Sequence, residues 1–170
     1  MSISMYQASV PAFQKHLHAL DGLLDKAAAY AEEKKIDPAA LLSARLFPDM
    51  FAFTRQVQLA SDFAKGGAGR LANVDVPSFA DTEVTILDLK ARIAKTLDFL
   101  ATLKPEQMEG SEMRTITLKV GPNEMTFDGA EYLLHFVLPN FYFHCTTAYG
   151  LLRHNGLEVG KRDFMRRLDA

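Results

Sequence analysis

Five histidines (His16, His18, His135, His144 and His154) and a single cysteine, Cys145, are the side chains in this chain best suited to hold a divalent metal or move a proton. Their spacing tests the metal reading first. At about 100° per residue, His135 and His144 lie roughly 180° apart around a straight helix. His154 stands about 15 Å beyond His144 along the same axis. His16 and His18 are about 200° apart on their own helix. No HxxxH or HExxH spacing occurs, so a metal site would have to draw one histidine from each of several helices.

His144 is the best single candidate for a functional imidazole. It shares a helix stripe with Asn140 and Thr147 beside an apolar seam, which puts it at the edge of a pocket. The ordinary alternative is a hydrogen-bonded core histidine. His135 follows the seam residue Leu134 and reads as a polar core residue. His154 falls at a helix C-terminus, where the dipole favours a cation. His18 shares a solvent stripe with Gln14, Asp21 and Asp25. Opposite His144 a second helix offers two polar stripes, Asp49 with Gln56, and Arg55 with Gln58 and Asp62. Either would make a polar wall, and the plainer reading is a solvated face with intrahelical pairs. Cys145 lies on the core seam with no base or cation in its helix, so it reads as a small buried hydrophobe. No Ser-His-Asp arrangement, phosphate loop or dinucleotide fingerprint is present.

Four helices must position these groups, and their apolar residues step by three and four. The first spans about Ser4 to Lys35 through Val10, Phe13, Leu17, Leu20, Leu24, Ala27 and Ala31. Pro11 falls near its start, and Ile36-Asp37-Pro38 ends it. After a short connector the second enters at Pro48-Asp49, carries Met50, Phe53, Val57, Ala60 and Ala64, and is expected to stop at Gly66-Gly67. A loop over 68–80 follows. The third, capped by Ser78 or Asp81, turns Ile86, Leu89, Ile93, Leu97 and Leu100 inward and ends near Lys104-Pro105.

Thr115 to Val120 then alternates polar and apolar, Gly121-Pro122-Asn123 turns, and Met125 and Phe127 alternate again. This is a small β-hairpin between the third and fourth helices. Asp128-Gly129-Ala130-Glu131 resembles a capping box opening the fourth helix. Its seam is Leu134, Leu138, Phe141, Cys145, Ala148 and Leu152, and Pro139 should kink or split it. Asn155-Gly156 closes it, with Leu157 as the accompanying hydrophobic contact. A basic tail follows at Lys161, Arg162, Arg166 and Arg167, with Phe164 and Met165 available for docking. The expected fold is all-α, a four-helix bundle with a hairpin insertion, as one domain over 1–170.

The aromatic run Phe136, Phe141, Tyr142, Phe143 and Tyr149 covers more than one helix face. Such a helix is either central or shared with a second subunit, which predicts a homodimer. A cleft lined by these rings would equally hold a small-molecule ligand. The pocket candidates are His144, Asn140, Thr147, His135, Tyr149, Arg55 and Gln56.

Composition narrows the classes. At 170 residues, with 48% hydrophobic and 24% charged residues, the chain can bury one core. A net charge of −2 and a pI near 6.2 give no electrostatic reason to expect nucleic acid or an anionic membrane. One cysteine excludes an internal disulfide and a CxxC zinc site. The first twenty residues lack the long apolar core of a secretion signal, and no uncharged run approaches the ~18–20 apolar residues of a membrane span. A soluble cytoplasmic protein is expected.

The segments LFPDMFAFTRQVQLASDFAKGGAGRL, ARIAKTLDFL and YLLHFVLPNFYFHCTTAYGLLRHNGLEVGKRDF resemble bacterial proteins of the domain-of-unknown-function family nineteen-ninety-three, in the DinB/YfiT-like superfamily. The resemblance implies an up-down-down-up four-helix bundle, usually a homodimer. Many DinB-like proteins bind a divalent metal through three histidines, and some are metal-dependent hydrolases or thiol transferases. Their last helix often carries HxxxH. Here His144 fills the first of those positions, Ala148 occupies the place four residues on, and the second helix has no histidine. The expectation is a ligand-binding homodimer with no cofactor and no three-histidine metal site. The alternative is a zinc- or nickel-dependent hydrolase or thiol transferase, with His144 as one ligand and Asp49, Gln56 or Asp62 replacing lost histidines.

Overall fold

A reciprocal cap sets the first helix: the Gln7 amide N–H donates to Ser4 Oγ at 3.2 Å, and the Ser4 N–H donates to Gln7 Oε1 at 3.1 Å. The computed structural model describes residues 3–165. Helix α1 (Met5–Lys34) buries the whole predicted stripe from Val10 to Ala31, and Lys35 closes it in the left-handed region, φ 55°. Asp37 then caps a short helix, α2 (Pro38–Leu42), where the sequence suggested only a connector.

Helix α3 (Phe53–Leu71) departs from expectation at both ends. Pro48-Asp49 does not open it. That stretch is held by the Arg45 guanidinium on the Met50 carbonyl, and the Phe53 N–H returns to Ala44 O. Gly66-Gly67 does not stop it either. A Cβ on Gly67 would stand 2.5 Å from Val137 Cγ1, so this glycine lets the last helical segment approach closely. A mid-helix glycine costs about 1 kcal/mol of propensity, which packing of this kind offsets.

Helix α4 (Ile86–Ala101) is capped by Thr85, not by Ser78 or Asp81. The Asp88 N–H donates to Thr85 Oγ1 at 3.1 Å, and Asp88 Oδ2 accepts from the Thr85 N–H at 2.8 Å. The helix ends before Lys104, and a 3-10 turn runs from Pro105 to Met108. Strands β1 (Thr115–Val120) and β2 (Asn123–Asp128) pair antiparallel, Thr115 opposite Asp128 and Val120 opposite Asn123, as the alternation predicted. Ile116 and Leu118 face inward.

The last long helix is interrupted. Helix α5 (Gly129–Glu131) passes into a π-helical turn at Tyr132–Val137, and α6 (Leu138–His154) follows, with Pro139 in its first turn. Asp128 makes no side-chain capping bond. A π turn adds residues to one turn and rotates whatever precedes it. The predicted seam therefore holds for Phe141, Cys145, Ala148 and Leu152 but fails at Leu134, which is 50% exposed while Leu133 and Val137 are buried. Gly156, at φ 91°, and the buried Leu157 close α6 as expected.

Helix α1 packs against α3, α4 and α6, and α3 also packs against α4 and α6. The short helix α7 (Lys161–Met165) lies on α1, joined by a Lys26–Asp163 ion pair of 2.7 Å. Its Phe164 meets the rings of His16 and Tyr149 and so docks as expected, whereas Met165 stays exposed. Arg166 and Arg167 lie outside the described residues. Among the described residues, no helix is long and apolar enough to cross a membrane.

Candidate functional site

Helices α3 and α6 bring His144 to Gln56. The imidazole is 6% exposed, and its Nδ1 is 2.7 Å from Gln56 Oε1. Gln56 Nε2 donates to the Phe51 carbonyl at 3.0 Å, which turns the amide oxygen toward the ring, so Nδ1–H is the donor. Phe63 stacks on the imidazole at 5.6 Å and 17°, and Phe143 meets it edge-on at 5.3 Å. Burial, and after it the Arg55 charge, lower the His144 pKa to about 4. At neutral pH this group is an uncharged imidazole and a weak base.

The neighbouring candidates serve their own helix. Asn140 Nδ2 donates to Phe136 O and Thr147 Oγ1 to Phe143 O, each at 2.7 Å. Tyr149 is half-buried against Phe164. His135 is not a polar core residue: it is exposed, rotated outward with Leu134 by the π turn. His154 is exposed at the end of α6 and His18 on α1. His16 is buried among Phe141, Tyr142 and Phe164, with Nδ1 3.0 Å from Ala12 O, and burial lowers its pKa. Burial pushes the Cys145 thiol far up, as suits a small core residue.

The metal alternative needs Asp49, Gln56 or Asp62 beside His144, and this donor set does not fit. Asp49 is exposed in the segment before α3. The Gln56 oxygen already accepts a hydrogen bond from the His144 Nδ1–H. Asp62 is bound by Arg92 at 2.8 Å and Lys65 at 3.1 Å. Among the described residues, no three His, Cys, Asp or Glu side chains gather where one ion would sit.

A second polar assembly was hidden in the sequence. Arg92 of α4 is 2% exposed and ion-paired to Asp62, Asp81 and Glu83 at 2.8, 3.0 and 2.8 Å. Gln58 donates to Glu83 at 2.8 Å, and Arg55 reaches both Gln58 and Asp81. Burial acts to raise the Glu83 carboxyl, but the Arg92 and Gln58 hydrogen bonds help hold it below the usual range. The stripe of Arg55, Gln58 and Asp62 is thus tied to the 72–85 connector and is not simply solvated.

Beside this assembly a cleft of about 660 Å³ opens between α3, the hairpin and the π turn. Arg55, Phe63 and Arg70 line it from α3, Thr117 and Lys119 from β1, and Tyr132 and Phe136 from the π turn. Arg70 Nη1 donates to the buried Tyr132 hydroxyl at 3.2 Å, which donates to Gly66 O at 3.3 Å. Phe63 joins the two regions, stacking on His144 and packing against Phe136 at 5.8 Å. Sequence reasoning missed Arg70, Tyr132 and Lys119. The signals were the Gly66-Gly67 pair and the change of period at the hairpin. A separate groove of about 620 Å³, sharing no lining residue with this cleft, lies where Ala31 and Leu42 meet Val84 and Leu87.

Residues 5–165 match the model of a family described as a domain of unknown function, DUF1993. Among solved structures, the chain is similar to one described as a DinB family member protein from Shewanella denitrificans. The two are 39% identical over 98% of this chain and 94% of that one, with a TM-score of 0.91. No curated protein matches.

Proposed function

The chain belongs to the DUF1993 family, a DinB-like group, and from that premise we propose that it is a small-ligand-binding protein, homodimeric and without a tightly held metal. The cleft of about 660 Å³ carries this reading. Its size is within the usual range for small-molecule sites, and it combines aromatic walls with a few convergent polar groups. The π turn that supplies Tyr132 and Phe136 adds support, since such turns are frequent at functional sites. His144 and Gln56 back the cleft through Phe63 and hold its wall. The finer architecture proposed with this reading is one domain over 1–170, an up-down-down-up bundle with the hairpin inserted, in the cytoplasm. Leu134, 50% exposed, and Phe143, 54% exposed, offer apolar surface on the last helical segment for a second copy. A metal-dependent hydrolase or thiol transferase would need Gln56 or Asp62, whose oxygens other groups already occupy, or Asp49, which is exposed before α3.

Amide-resolved NMR of the untagged chain with a set of small aromatic fragments tests the ligand site. Shifts are expected at Gly67, Thr117 and Leu118. Shifts confined to Ala39, Leu42 and Leu87 would move the site to the other groove and defeat the reading. On the same sample, light scattering at micromolar concentration should give twice 18.9 kDa. Metal analysis should give no stoichiometric ion; one that is lost in His144→Ala would restore the enzyme reading.

A further inference from the structure

The walls of this cleft carry an unbalanced positive charge. Arg55 is paired with Asp81, and Asp62 with Arg92 and Lys65, so that side neutralises itself. Arg70 is different. Among the described residues it has no ion pair, and its one hydrogen bond goes to the neutral Tyr132 hydroxyl. Lys119 borders the cleft from β1. It lies opposite Glu124 in the ladder without forming an ion pair with it.

The Arg70 guanidinium is also held in place. A Cβ on Gly66 would come 2.5 Å from Arg70 Nη1, so the guanidinium lies directly over the Gly66 backbone. Tyr132, which fixes it, is itself anchored to the Gly66 carbonyl. One guanidinium donor is used and the rest remain, in the planar fork that matches carboxylate and sulfonate oxygens. Next to this fork Phe136 meets Phe63 edge-on at 5.8 Å and 66° and lies nearly parallel to Tyr132 at 6.0 Å and 22°, offering a stepped aromatic wall.

We propose that the cleft binds a small organic anion with an aromatic body, its head group on Arg70 and Lys119 and its rings against Phe63 and Phe136. This deepens the ligand-binding reading and rests on the cleft being the ligand site. A cationic ligand meets two like charges here, and a neutral one gains the ring contacts alone.

Two fluorescent dyes with the same rings separate the charge from the cleft: 8-anilinonaphthalene-1-sulfonate, and N-phenyl-1-naphthylamine, which lacks the sulfonate. Each is titrated into the full chain at low salt. The sulfonate dye should bind about tenfold more tightly than the neutral dye. Arg70→Gln should weaken the sulfonate dye about tenfold and leave the neutral dye unchanged, with Lys119→Gln acting in the same direction by about threefold. Thr117→Trp, filling the cleft from an exposed strand position, should remove both dyes. Leu87→Gln in the other groove, at a side chain 76% exposed, should affect neither. Circular dichroism melts confirm that each variant is folded. Equal affinity for the two dyes, both lost in Thr117→Trp and neither changed by Arg70→Gln or Lys119→Gln, would overturn the anion proposal and leave the cleft standing. Dyes indifferent to Thr117→Trp and lost in Leu87→Gln would overturn the cleft itself.

Discussion

Helix α3 buries polar groups on two sides, and by opposite means. Toward α6, Gln56 meets His144 in a neutral pair with one hydrogen bond of 2.7 Å and an aromatic ring stacked on it. Toward α4 and the 72–85 connector, Asp62 and Gln58 help enclose Arg92, a full charge balanced by three carboxylates within 3.0 Å. An imidazole can be buried cheaply because it gives up its proton. A guanidinium cannot, so it must be surrounded by opposite charge and covered, here by the Phe79 ring at 5.8 Å. Even so, Arg92 Nε has no partner among the described residues. The residue that looked most chemical in the sequence is the quieter one, and the hidden cluster ties the connector to two helices.

The largest test breaks the charged side. Arg92→Ala leaves Asp62, Asp81 and Glu83 converging without their shared cation, and should cost about 3–5 kcal/mol in urea denaturation. Adding Asp62→Asn and Glu83→Gln should recover part of that loss. A cost no larger than an ordinary surface substitution would erase the distinction between the two sides.

The neutral side responds to pH instead. The folded pKa of His144 lies at about 4, below its ordinary value of 6.5, so between these values the unfolded chain binds the proton and the folded one does not. Stability therefore falls as pH drops through this window, by about 2 kcal/mol from pH 7.5 to 5 for this group. His16 shifts in the same direction, so the readout is the difference between wild type and His144→Gln, whose curve should be flatter. Identical pH dependence in the two would rule the idea out. Glu83 acts in a separate range, because its lowered pKa keeps its contribution until pH falls below the usual carboxylate values.

The smallest effect concerns the packing that holds the neutral side together. Gly67→Ala gains about 1 kcal/mol of helix propensity but forces a methyl onto Val137, and the net loss should be about 1 kcal/mol. In a Val137→Ala background the same substitution should become stabilising. A thermal melt of the four variants shows whether the sign reverses.

The legible part of this molecule was the part written in local repeats. The stripe of α1, the lower seam of α6, the hairpin alternation and the Asn155-Gly156 stop all follow from backbone periodicity and turn chemistry over a few residues. The facing of His144 and Gln56 was also readable, because helix faces project predictably, whereas Asp49 falls outside the helix and the stripe of Arg55, Gln58 and Asp62 turns to the connector and Arg92. Gly66-Gly67 misled because a glycine pair has the same local signature whether it ends a helix or admits a neighbour. Leu134 and His135 were misplaced because the π turn resets the face count. Thr85 caps α4 where the sequence pointed to Ser78 or Asp81, and the Asp81 carboxylate is instead taken by Arg92 and Arg55.

By itself, then, the sequence determined a helical chain with one small hairpin, and histidines that diverge around their helices. Tertiary structure alone decided which glycines are contacts, which carboxylates surround Arg92, and that Arg70, Lys119 and the rings of the π turn border one cleft. The physical reason is range. Periodicity and capping act over a single turn, whereas charge neutralisation and close backbone approach join residues tens of positions apart, such as Asp62 with Arg92 and Gly67 with Val137.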